Sequence, residues 1–390
     1  MEQDITTPYY LVDAEKLEAN LRILHSVGKR AGCKILLAQK AFSLHALYPL
    51  IGQYLDGTAA SGLHEARLGH EEMGGETHVF AAAYRPDEMD ELLGICDHLV
   101  FNSFTEWERY REKALGAGKR YGIRVNPEHS TQNNRLYDPC APGSRLGVTA
   151  AQFRPDLLHG ITGLHFHTLC EQNSDALVAT LDVFERKFGR FLPKMEWVNM
   201  GGGHHITRAD YDTQTLIDRI ARFRETHGLD VYLEPGEAVA LNAGFLVSAV
   251  LDVVENGVTI AILDASATCH MPDVLEVPYR PKVSLVPPGG RVSDSISGEH
   301  DAGCPGEKAH TVRLAGPTCL AGDVIGDYSF ARVPSPGDQV VFHDMAVYSM
   351  VKNNTFNGIW LPSIAIKNKD PDCVQLVKSF GYQDFKERLS

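Results

Sequence analysis

The stretch KILLAQK, residues 34–40, has the length and apolar content of a buried β-strand, and it ends on a lysine. The residues that follow, Ala41–Ser43, open a stretch of helical character. An ammonium group at the end of a buried strand is costly unless it is paired or gives up its charge, and lysines that lose their charge become Schiff-base nucleophiles. The alternative is a structural lysine whose ammonium reaches solvent from the strand end. Fold and chemistry both depend on which description fits Lys40.

The composition is that of a globular protein of 390 residues, 44% hydrophobic and 22% charged, which is long enough for two domains or for a large barrel with an addition. The eight cysteines are scattered without a Cys-x-x-Cys pair, so we expect free thiols. No apolar run reaches membrane-spanning length, and the acidic start Met1–Asp4 is unlike a signal peptide, so we expect a cytoplasmic protein without a membrane partner. A formal net charge of -13 disfavours nucleic acid and suits a cationic substrate.

Eight strand-like runs separated by helix-like segments predict a (β/α)8 barrel. The runs are residues 34–40, 55–61, 78–84, 98–103, 121–126, 163–168, 197–202 and 231–236. Barrels carry their chemistry at the carboxyl ends of the strands. Those ends read Lys40, Ser61, Tyr84, Asn126, His167, Gly201–Gly203 and Glu234. The longer interval 126–163, rich in Asn, Pro and Gly, predicts an extended active-site loop before its helix.

A different pattern begins near Ala243, where short alternating runs are separated by Pro and Gly. It predicts a β domain made of residues 1–13 and 243–390, beside a barrel domain of residues 14–242. The stretch 286–308, with Pro, Gly, Asp and Ser, is predicted to be an exposed loop.

Two features near the last barrel strands suit a phosphorylated aromatic cofactor. Gly201, Gly202 and Gly203 follow an apolar run, and glycines at such a turn let backbone N–H groups approach a phosphate, although a plain tight turn has the same pattern. Glu234 ends the eighth run. Its carboxylate can pair with an arginine, or it can keep a pyridine nitrogen protonated and so strengthen the ring as an electron sink.

His165 and His167 lie two residues apart on one predicted strand, so their side chains share a face. An imidazole there can stack on an aromatic cofactor, while a His-x-His pair on a barrel strand also resembles a metal site. In metal-dependent hydrolases the pair ends the first strand, whereas here it falls on the sixth and the first strand supplies a lysine. We therefore predict no metal, although His204-His205 keeps the alternative open.

Two downstream segments carry further candidates, GPTCLAGD at residues 316–323 and DMAVYSM at residues 344–350. A cysteine such as Cys319 in a Gly-Pro turn is usually a small buried hydrophobe. Near a carbanion, the same thiol can deliver a proton.

Together these segments resemble the pyridoxal-phosphate-dependent decarboxylases of the alanine-racemase fold (fold type III), the group that contains the diaminopimelate and ornithine decarboxylases. Within the group, the runs LEPGEAV (233–239), GPTCLAGD (316–323) and VYSMVKNNTFNG (347–358) are most similar to the carboxynorspermidine/carboxyspermidine decarboxylases. The resemblance implies a (β/α)8 barrel with a C-terminal β-sandwich or barrel-like domain. It also implies decarboxylation of a carboxypolyamine with pyridoxal 5'-phosphate.

The resemblance assigns roles to individual residues. Lys40 would link covalently to the cofactor, His167 would stack on its ring, and Glu234 would meet its ring nitrogen. Gly201–Gly203 and Tyr348 would hold the phosphate. Cys319 would protonate the carbon that loses carbon dioxide, reaching the neighbouring subunit's site in a head-to-tail homodimer.

Two departures from the better-known relatives concern the substrate. Those relatives usually carry arginine where this chain has Glu237, and an acidic residue where it has Leu320. Exchanging a cation for Glu237 suits a substrate that ends in a protonated amine, and Asp273 is predicted to take a second ammonium. Either can instead be a surface acid. The alternatives are a diaminopimelate- or ornithine-type decarboxylase, a cofactor-carrying binding protein and a metal hydrolase.

Overall fold

The structure, a computed structural model, describes residues 5–132, 134–296, 300–368 and 373–390. The chain forms two compact units. One consists of Glu18–Val239, and the other of Met1–Leu17 with Ala240–Ser390. None of the helices in the described part of the chain combines the length and hydropathy needed to span a bilayer.

The first unit is built on a closed barrel of eight parallel strands, so the predicted (β/α)8 barrel is confirmed. Its strands are β2 (Lys34–Ala38), β3 (Gly57–Ala60), β4 (Glu76–Phe80), β5 (His98–Phe101), β6 (Arg120–Arg124), β7 (Ile161–His165), β8 (Trp197–Asn199) and β9 (Asp230–Leu233). The α-helices of this part of the chain are α1 (Ala14–Ala31), α2 (Tyr48–Ile51), α3 (Leu63–Glu72), α4 (Met89–Ile95), α5 (Phe104–Ala117), α6 (Ser174–Phe188), α7 (Thr213–His227) and α8 (Glu237–Ala240).

Buried side chains fill the barrel interior, among them Leu36, Val100, Trp197 and Tyr232. The indole of Trp197 needs the glycine at position 163, because a Cβ there would lie 2.0 Å from the ring. The strands end one to four residues before the predicted runs do. The polar residues expected at the strand ends therefore lie mostly in the loops that follow, where side chains have more directions open to them.

The connection between β6 and β7 is long, as predicted, but the prediction of an α-helix within it is wrong for the described residues. Leaving aside Asn133, which is outside the described residues, this connection contains three 3-10 turns, at Arg135–Tyr137, Ala150–Gln152 and Pro155–Leu157. Pro155 lacks the N–H that a continuous helix would require there.

The second unit contains a nine-stranded mixed sheet within the described residues, so the predicted β domain is confirmed. Its strands are β1 (Tyr9–Asp13), β10 (Gly244–Glu255), β11 (Thr259–Leu263), β12 (Val283–Val286), β13 (His310–Ala315), β14 (Val324–Phe330), β15 (Gln339–His343), β16 (Ser363–Lys367) and β17 (Val374–Lys378). Short helices lie between these strands and after the last one: α9 (Ala267–His270), α10 (Asp273–Glu276), α11 (Val292–Ser295), α12 (Ser349–Lys352) and α13 (Tyr382–Glu387). Strand β1 pairs antiparallel with β10 and parallel with β16.

The predicted exposed loop 286–308 is only partly a loop. Helix α11 lies within it, and Val292 and Ile296 are buried in the hydrophobic core of the β unit with Val286 and Phe245. Residues 297–299 lie outside the described part of the chain. The prediction weighed Pro and Gly content and overlooked two apolar residues four positions apart, which is the helical spacing.

Candidate active site

A cavity within the barrel unit holds most of the predicted site. Its volume is about 180 Å³. Charged and imidazole side chains line it: Lys40, Arg124, Arg145, His165, His167 and Glu234. Parallel barrel strands present their carboxyl ends at one face, so residues far apart in sequence meet there. Three predicted residues, Lys40, His167 and Glu234, are thus brought together.

Lys40 follows the last residue of β2 by two positions. Its side chain is open to the cavity but surrounded by protein, and this loss of bulk solvent lowers the pKa of the ammonium group. The negative charge of Glu234 raises that pKa, and the positive charge of Arg124 lowers it. A lysine with a lowered pKa is more often neutral, which favours the nucleophile over the structural lysine.

Glu234 is held by a residue that the sequence analysis did not single out, Asn199. The Asn199 side-chain amide donates to Glu234 Oε1 at 2.6 Å, and its oxygen accepts the Gly201 N–H at 2.8 Å. Asn199 is fully buried at the end of β8. A neutral amide donor holds a carboxylate without supplying a competing positive charge, so Glu234 keeps its charge for another partner.

His167 lies two residues beyond the end of β7. Its Nδ1 accepts the N–H of Gly202 at 3.2 Å, so a neutral imidazole carries its proton on Nε2. Burial lowers the pKa of His167 well below its usual range, and the charges of Lys40 and Arg124 lower it further. His167 is therefore a neutral, oriented ring, which suits packing against another flat group.

The turn Gly201–Gly203 requires glycine for geometric reasons. Gly201 and Gly203 have φ values of 71° and 82°, and a Cβ on Gly203 would lie 2.1 Å from the carbonyl oxygen of Leu169. The N–H groups of Gly201 and Gly202 are engaged by Asn199 and His167. These two glycines therefore orient site residues, and their phosphate contact stays a prediction.

Arg124, the last residue of β6, also lines the site and was not among the residues predicted from the sequence. Its guanidinium lies 4.5 Å from the ring centre of Phe80 and donates to the carbonyl of His167 at 3.1 Å. Burial lowers the pKa of Arg124 to about 10, so it stays charged at neutral pH. The prediction placed the end of this strand at Asn126, two residues too late.

His165 adds an unpartnered imidazole to the cavity. Within the described residues neither ring nitrogen has a hydrogen-bond partner, and Nε2 lies 3.8 Å from Glu234 Oε2. His165, His167 and Glu234 each place a possible metal-ligand atom within 4.8 Å of the others. A metal ion at this point would share the cavity with the basic side chains of Lys40, Arg124 and Arg145, which oppose its binding.

Three other predicted strand-end residues have different surroundings. Ser61 lines the cavity and is exposed. Tyr84 does not belong to the reactive set, because its hydroxyl is buried within hydrogen-bond distance of the carbonyls of Val79 and Val100, which share its one donor. Asn126 accepts the N–H of Glu128 at 2.7 Å and so shapes the start of the long loop.

The two predicted substrate acids each have a partner. Glu237 begins α8 in the barrel unit, and its Oε2 lies 3.2 Å from Nε2 of His205. Asp273 begins α10 in the β unit, where Lys352 donates to its carboxylate. A substrate ammonium at Asp273 would have to displace Lys352, so this role has less support than before and stays a prediction.

The β unit holds Cys319 and Tyr348. Cys319 is exposed, unlike the buried thiol of the alternative, and its N–H donates to Asn357 at 2.7 Å. Asp323, quoted with this motif but given no role, accepts the hydroxyls of Thr318 at 2.6 Å and Ser266 at 2.8 Å. Asp323 therefore fixes the turn that presents the thiol.

Tyr348 is half-buried and precedes α12 with φ 58° and ψ −41°. A non-glycine residue in this region is strained, and such strain often marks a functional position. Its predicted phosphate contact stays a prediction.

The family of the chain follows from comparison with known proteins. A family model described as "Pyridoxal-dependent decarboxylase, C-terminal sheet domain" matches residues 9–346. The chain belongs to the pyridoxal-dependent decarboxylases. The chain is therefore a decarboxylase that uses pyridoxal phosphate, as the resemblance implied.

Two curated pyridoxal-dependent decarboxylases are each 41% identical to this chain over 99% of its length. One is a carboxynorspermidine/carboxyspermidine decarboxylase of Campylobacter jejuni, of which 99% is covered. The other is a carboxyaminopropylagmatine decarboxylase of Synechocystis, of which 96% is covered.

Solved structures agree with this assignment. Carboxynorspermidine decarboxylase of Campylobacter jejuni, complexed with norspermidine, has a TM-score of 0.87 at 39% identity, covering 98% of this chain and 100% of that one. Diaminopimelate decarboxylase of Helicobacter pylori has a TM-score of 0.82 at 16% identity, covering 99% of this chain and 98% of that one, which bears on the fold alone. The predicted alanine-racemase-type fold is confirmed.

The cavity of this pyridoxal-dependent decarboxylase fits its cofactor on three observations. Lys40 offers an amine of lowered pKa, and His165 offers buried nitrogens without partners. Asn199 binds only Oε1 of Glu234, so Oε2 can accept a hydrogen bond from a further donor. An aldehyde, a hydrogen-bonding ring substituent and a protonated ring nitrogen are the groups that such a set can hold.

Proposed function

We propose that this enzyme removes the α-carboxylate of carboxynorspermidine or carboxyspermidine, giving norspermidine or spermidine. The observation that carries the proposal is the 41% identity, over 99% of the chain, to an enzyme named for both substrates. The acidic Glu237, in place of the arginine usual in the better-known relatives, supports a cationic substrate over diaminopimelate, whose far end is a carboxylate.

Bound pyridoxal phosphate supplies a ring that accepts the electron pair left on the α-carbon when carbon dioxide departs. The residues of the chain prepare the site for this chemistry. Lys40 supplies the amine that holds the aldehyde. Glu234, oriented by Asn199, keeps a proton on the ring nitrogen. His167, oriented by Gly202, packs against the flat face of the ring and excludes water from it.

Three further assignments belong to the same proposal. Cys319 delivers the proton that replaces carbon dioxide, and its exposure suits a thiol that serves a neighbouring copy. Gly201–Gly203 and Tyr348 contact the phosphate. The enzyme acts in the cytoplasm as a homodimer with shared sites, and it takes part in polyamine biosynthesis.

Carboxyaminopropylagmatine is the second candidate substrate, because the Synechocystis enzyme is equally identical at 41%. This substrate has the same carboxyaminopropyl end, but its far arm ends in a guanidinium. The same acidic pocket is compatible with that cation.

Release of carbon dioxide from five substrates tests the proposal: carboxynorspermidine, carboxyspermidine, carboxyaminopropylagmatine, diaminopimelate and ornithine. We expect the highest kcat/KM on one of the first two. A higher kcat/KM on diaminopimelate or ornithine would refute the proposal, and a preference for carboxyaminopropylagmatine would establish the second candidate.

Two variants test the assignments that underlie the proposal. Lys40→Ala should abolish the absorbance of the linked cofactor, and borohydride reduction should then label no other lysine. Cys319→Ala should slow product formation or change the product ratio. If both the rate and the product ratio of Cys319→Ala match those of the parent enzyme, the thiol is not the proton donor.

A further inference from the structure

Three residues on neighbouring loops of the barrel unit form a compact group, which we call the rim carboxylate group: Glu171, His205 and Glu237. Each offers one ligand atom, and these atoms lie within 4.8 Å of one another. Glu171 follows β7, His205 follows β8, and Glu237 begins α8 after β9. Glu171 is exposed, Glu237 is partly buried and His205 is buried. Two carboxylates therefore converge on one buried imidazole.

The neighbours of His205 orient its ring. Its Nδ1 lies 3.5 Å from a guanidinium nitrogen of Arg208, and because a guanidinium only donates, Nδ1 is the acceptor and Nε2 carries the proton. That Nε2 points at Glu237 Oε2, 3.2 Å away, but it makes no aligned hydrogen bond within the described residues. The buried Nε2–H of His205 thus faces the Glu237 carboxylate, and a small rotation of either side chain would form a hydrogen bond between them.

The same tautomer weighs against a metal ion in this group. A nitrogen that carries a proton has no lone pair to offer, which leaves only the two carboxylates as metal ligands. The donors of Arg208 contact Asp210 at 2.7 Å, Asn173 at 2.6 Å and the backbone carbonyl of Glu171 at 3.5 Å.

Cys170 links the rim carboxylate group to the cavity of Lys40. The pKa of the Cys170 thiol is raised to about 12, first by burial and then by the charges of Glu171 and Glu237, while the charge of Lys40 acts to lower it. The half-buried Cys170 thiol therefore interacts electrostatically with both carboxylates and with the lysine. The rim carboxylate group follows β7, β8 and β9, so it lies at the same end of the barrel as Lys40, which follows β2.

We propose that Glu171 and Glu237 together bind the terminal ammonium of the substrate's far aminoalkyl arm, with His205 as the residue that positions Glu237. The inference rests on the proposed function and assigns Glu171 and His205 to substrate selection. It also removes Asp273 from that task, because Lys352 already neutralises the Asp273 carboxylate. The exposure of Glu171 suits the end of the arm that is farthest from the reacting carbon.

Calorimetric titration of the holoenzyme with two amines tests the proposal. Norspermidine carries the terminal ammonium, whereas N-propyl-1,3-diaminopropane has only a hydrogen atom in its place. Glu171→Gln should weaken norspermidine binding by about ten-fold or more and leave binding of the propyl analogue unchanged. His205→Phe should show the same selective loss, and His205→Gln, which keeps a donor, should show less.

Glu128→Gln is the matched control. Glu128 is also a glutamate of positive φ on a loop beyond a barrel strand, and its carboxylate pairs with Lys187 at 2.8 Å instead. This variant should bind both amines as the parent enzyme does.

Equal losses on both amines in Glu171→Gln would overturn the proposal, since the carboxylate would then support the fold or the cofactor. Stabilisation of the parent protein by ZnCl2 or MnCl2 that disappears in Glu171→Gln would also overturn it, in favour of a metal site. The proposed function fails separately, when the parent enzyme releases no carbon dioxide from carboxynorspermidine or carboxyspermidine.

Discussion

Arg124 lines the same cavity as Lys40, and its charge is one of the causes that lower the pKa of the lysine. Replacing Arg124 with Met should therefore raise the pKa of Lys40, so that less of the amine is neutral at a given pH. We expect the pH profile of cofactor uptake to move to higher pH, since only the neutral amine attacks an aldehyde. The rate of pyridoxal phosphate uptake by the apoprotein, followed by absorbance, measures this shift.

Arg120→Met is the control for this variant, because Arg120 begins the strand that Arg124 ends and lies at the opposite end of the barrel. Its profile should match that of the parent protein. If Arg124→Met also leaves the profile in place, the charge of Arg124 does not set the reactivity of Lys40.

Asn199 makes two buried contacts, one to Glu234 and one to the N–H of Gly201. Asn199→Ala would leave a carboxylate oxygen and a backbone donor unpaired, which should lower the free energy of unfolding by about 1–3 kcal/mol. Asn199→Asp should instead place a second carboxylate beside Glu234, so that the pair shares a proton and the pH profile of kcat gains a new ionisation. A parent-like pH profile for Asn199→Asp would contradict a positioning role for Asn199.

The glycine turn after β8 is the element on which the site depends. Gly203→Ala combines a positive φ with a Cβ 2.1 Å from the Leu169 carbonyl, whereas Gly228→Ala has a φ of 68° and open space around its Cβ. The positive φ alone costs about 1–2 kcal/mol. Gly203→Ala should therefore lose clearly more unfolding free energy in urea than Gly228→Ala, and cofactor affinity should fall with it. Equal losses would mean that the clash relaxes without cost.

At the scale of elements, the spacing of apolar residues in the sequence is enough to predict the barrel strands. Eight apolar runs at regular spacing give the barrel, and Lys40, His167 and Glu234 follow as residues at or beyond strand ends. Where a strand stops depends on pairing with its neighbours, which no single run contains. Arg124 and Asn199 were missed for that reason, since each is the last paired residue of its strand, inside a predicted run.

Partners from distant segments are equally invisible in the sequence. Nothing near Asp273 indicates that Lys352 will neutralise it, and nothing near Glu237 indicates His205. The predicted roles of these acids rested on residue type and on resemblance. The structure adds the neighbouring charges that decide which acid is available to a cation.

Across the whole molecule, buried histidines create a common response to acid. Burial lowers the pKa of His98 to about 2 and that of His204 and His270 to about 4, and lowers the pKa of His165 well below its usual range. The unfolded chain binds protons at these sites near pH 6.5, whereas the folded chain does not. Unfolded molecules therefore hold more protons as the pH falls, and stability must decrease in that direction.

We expect the melting temperature to fall steadily as the pH is lowered from about 7 to about 5, a window in which most carboxylates are still ionised. Each fully developed proton difference contributes about 1.4 kcal/mol per pH unit. Calorimetry in buffers of different ionisation enthalpy should also show proton uptake on unfolding. A melting temperature that is constant over this window would mean that the histidines are protonated in the folded state.

Strand β1 has a consequence for synthesis on the ribosome. It precedes the barrel in the chain, yet its two neighbours in the sheet, β10 and β16, both follow the barrel. The barrel strands are consecutive in the chain, so the barrel can close before translation ends. One edge of β1 stays unpaired until β16, Ser363–Lys367, has emerged. Until then the apolar residues of β1 are available to any chaperone that recognises unpaired strands.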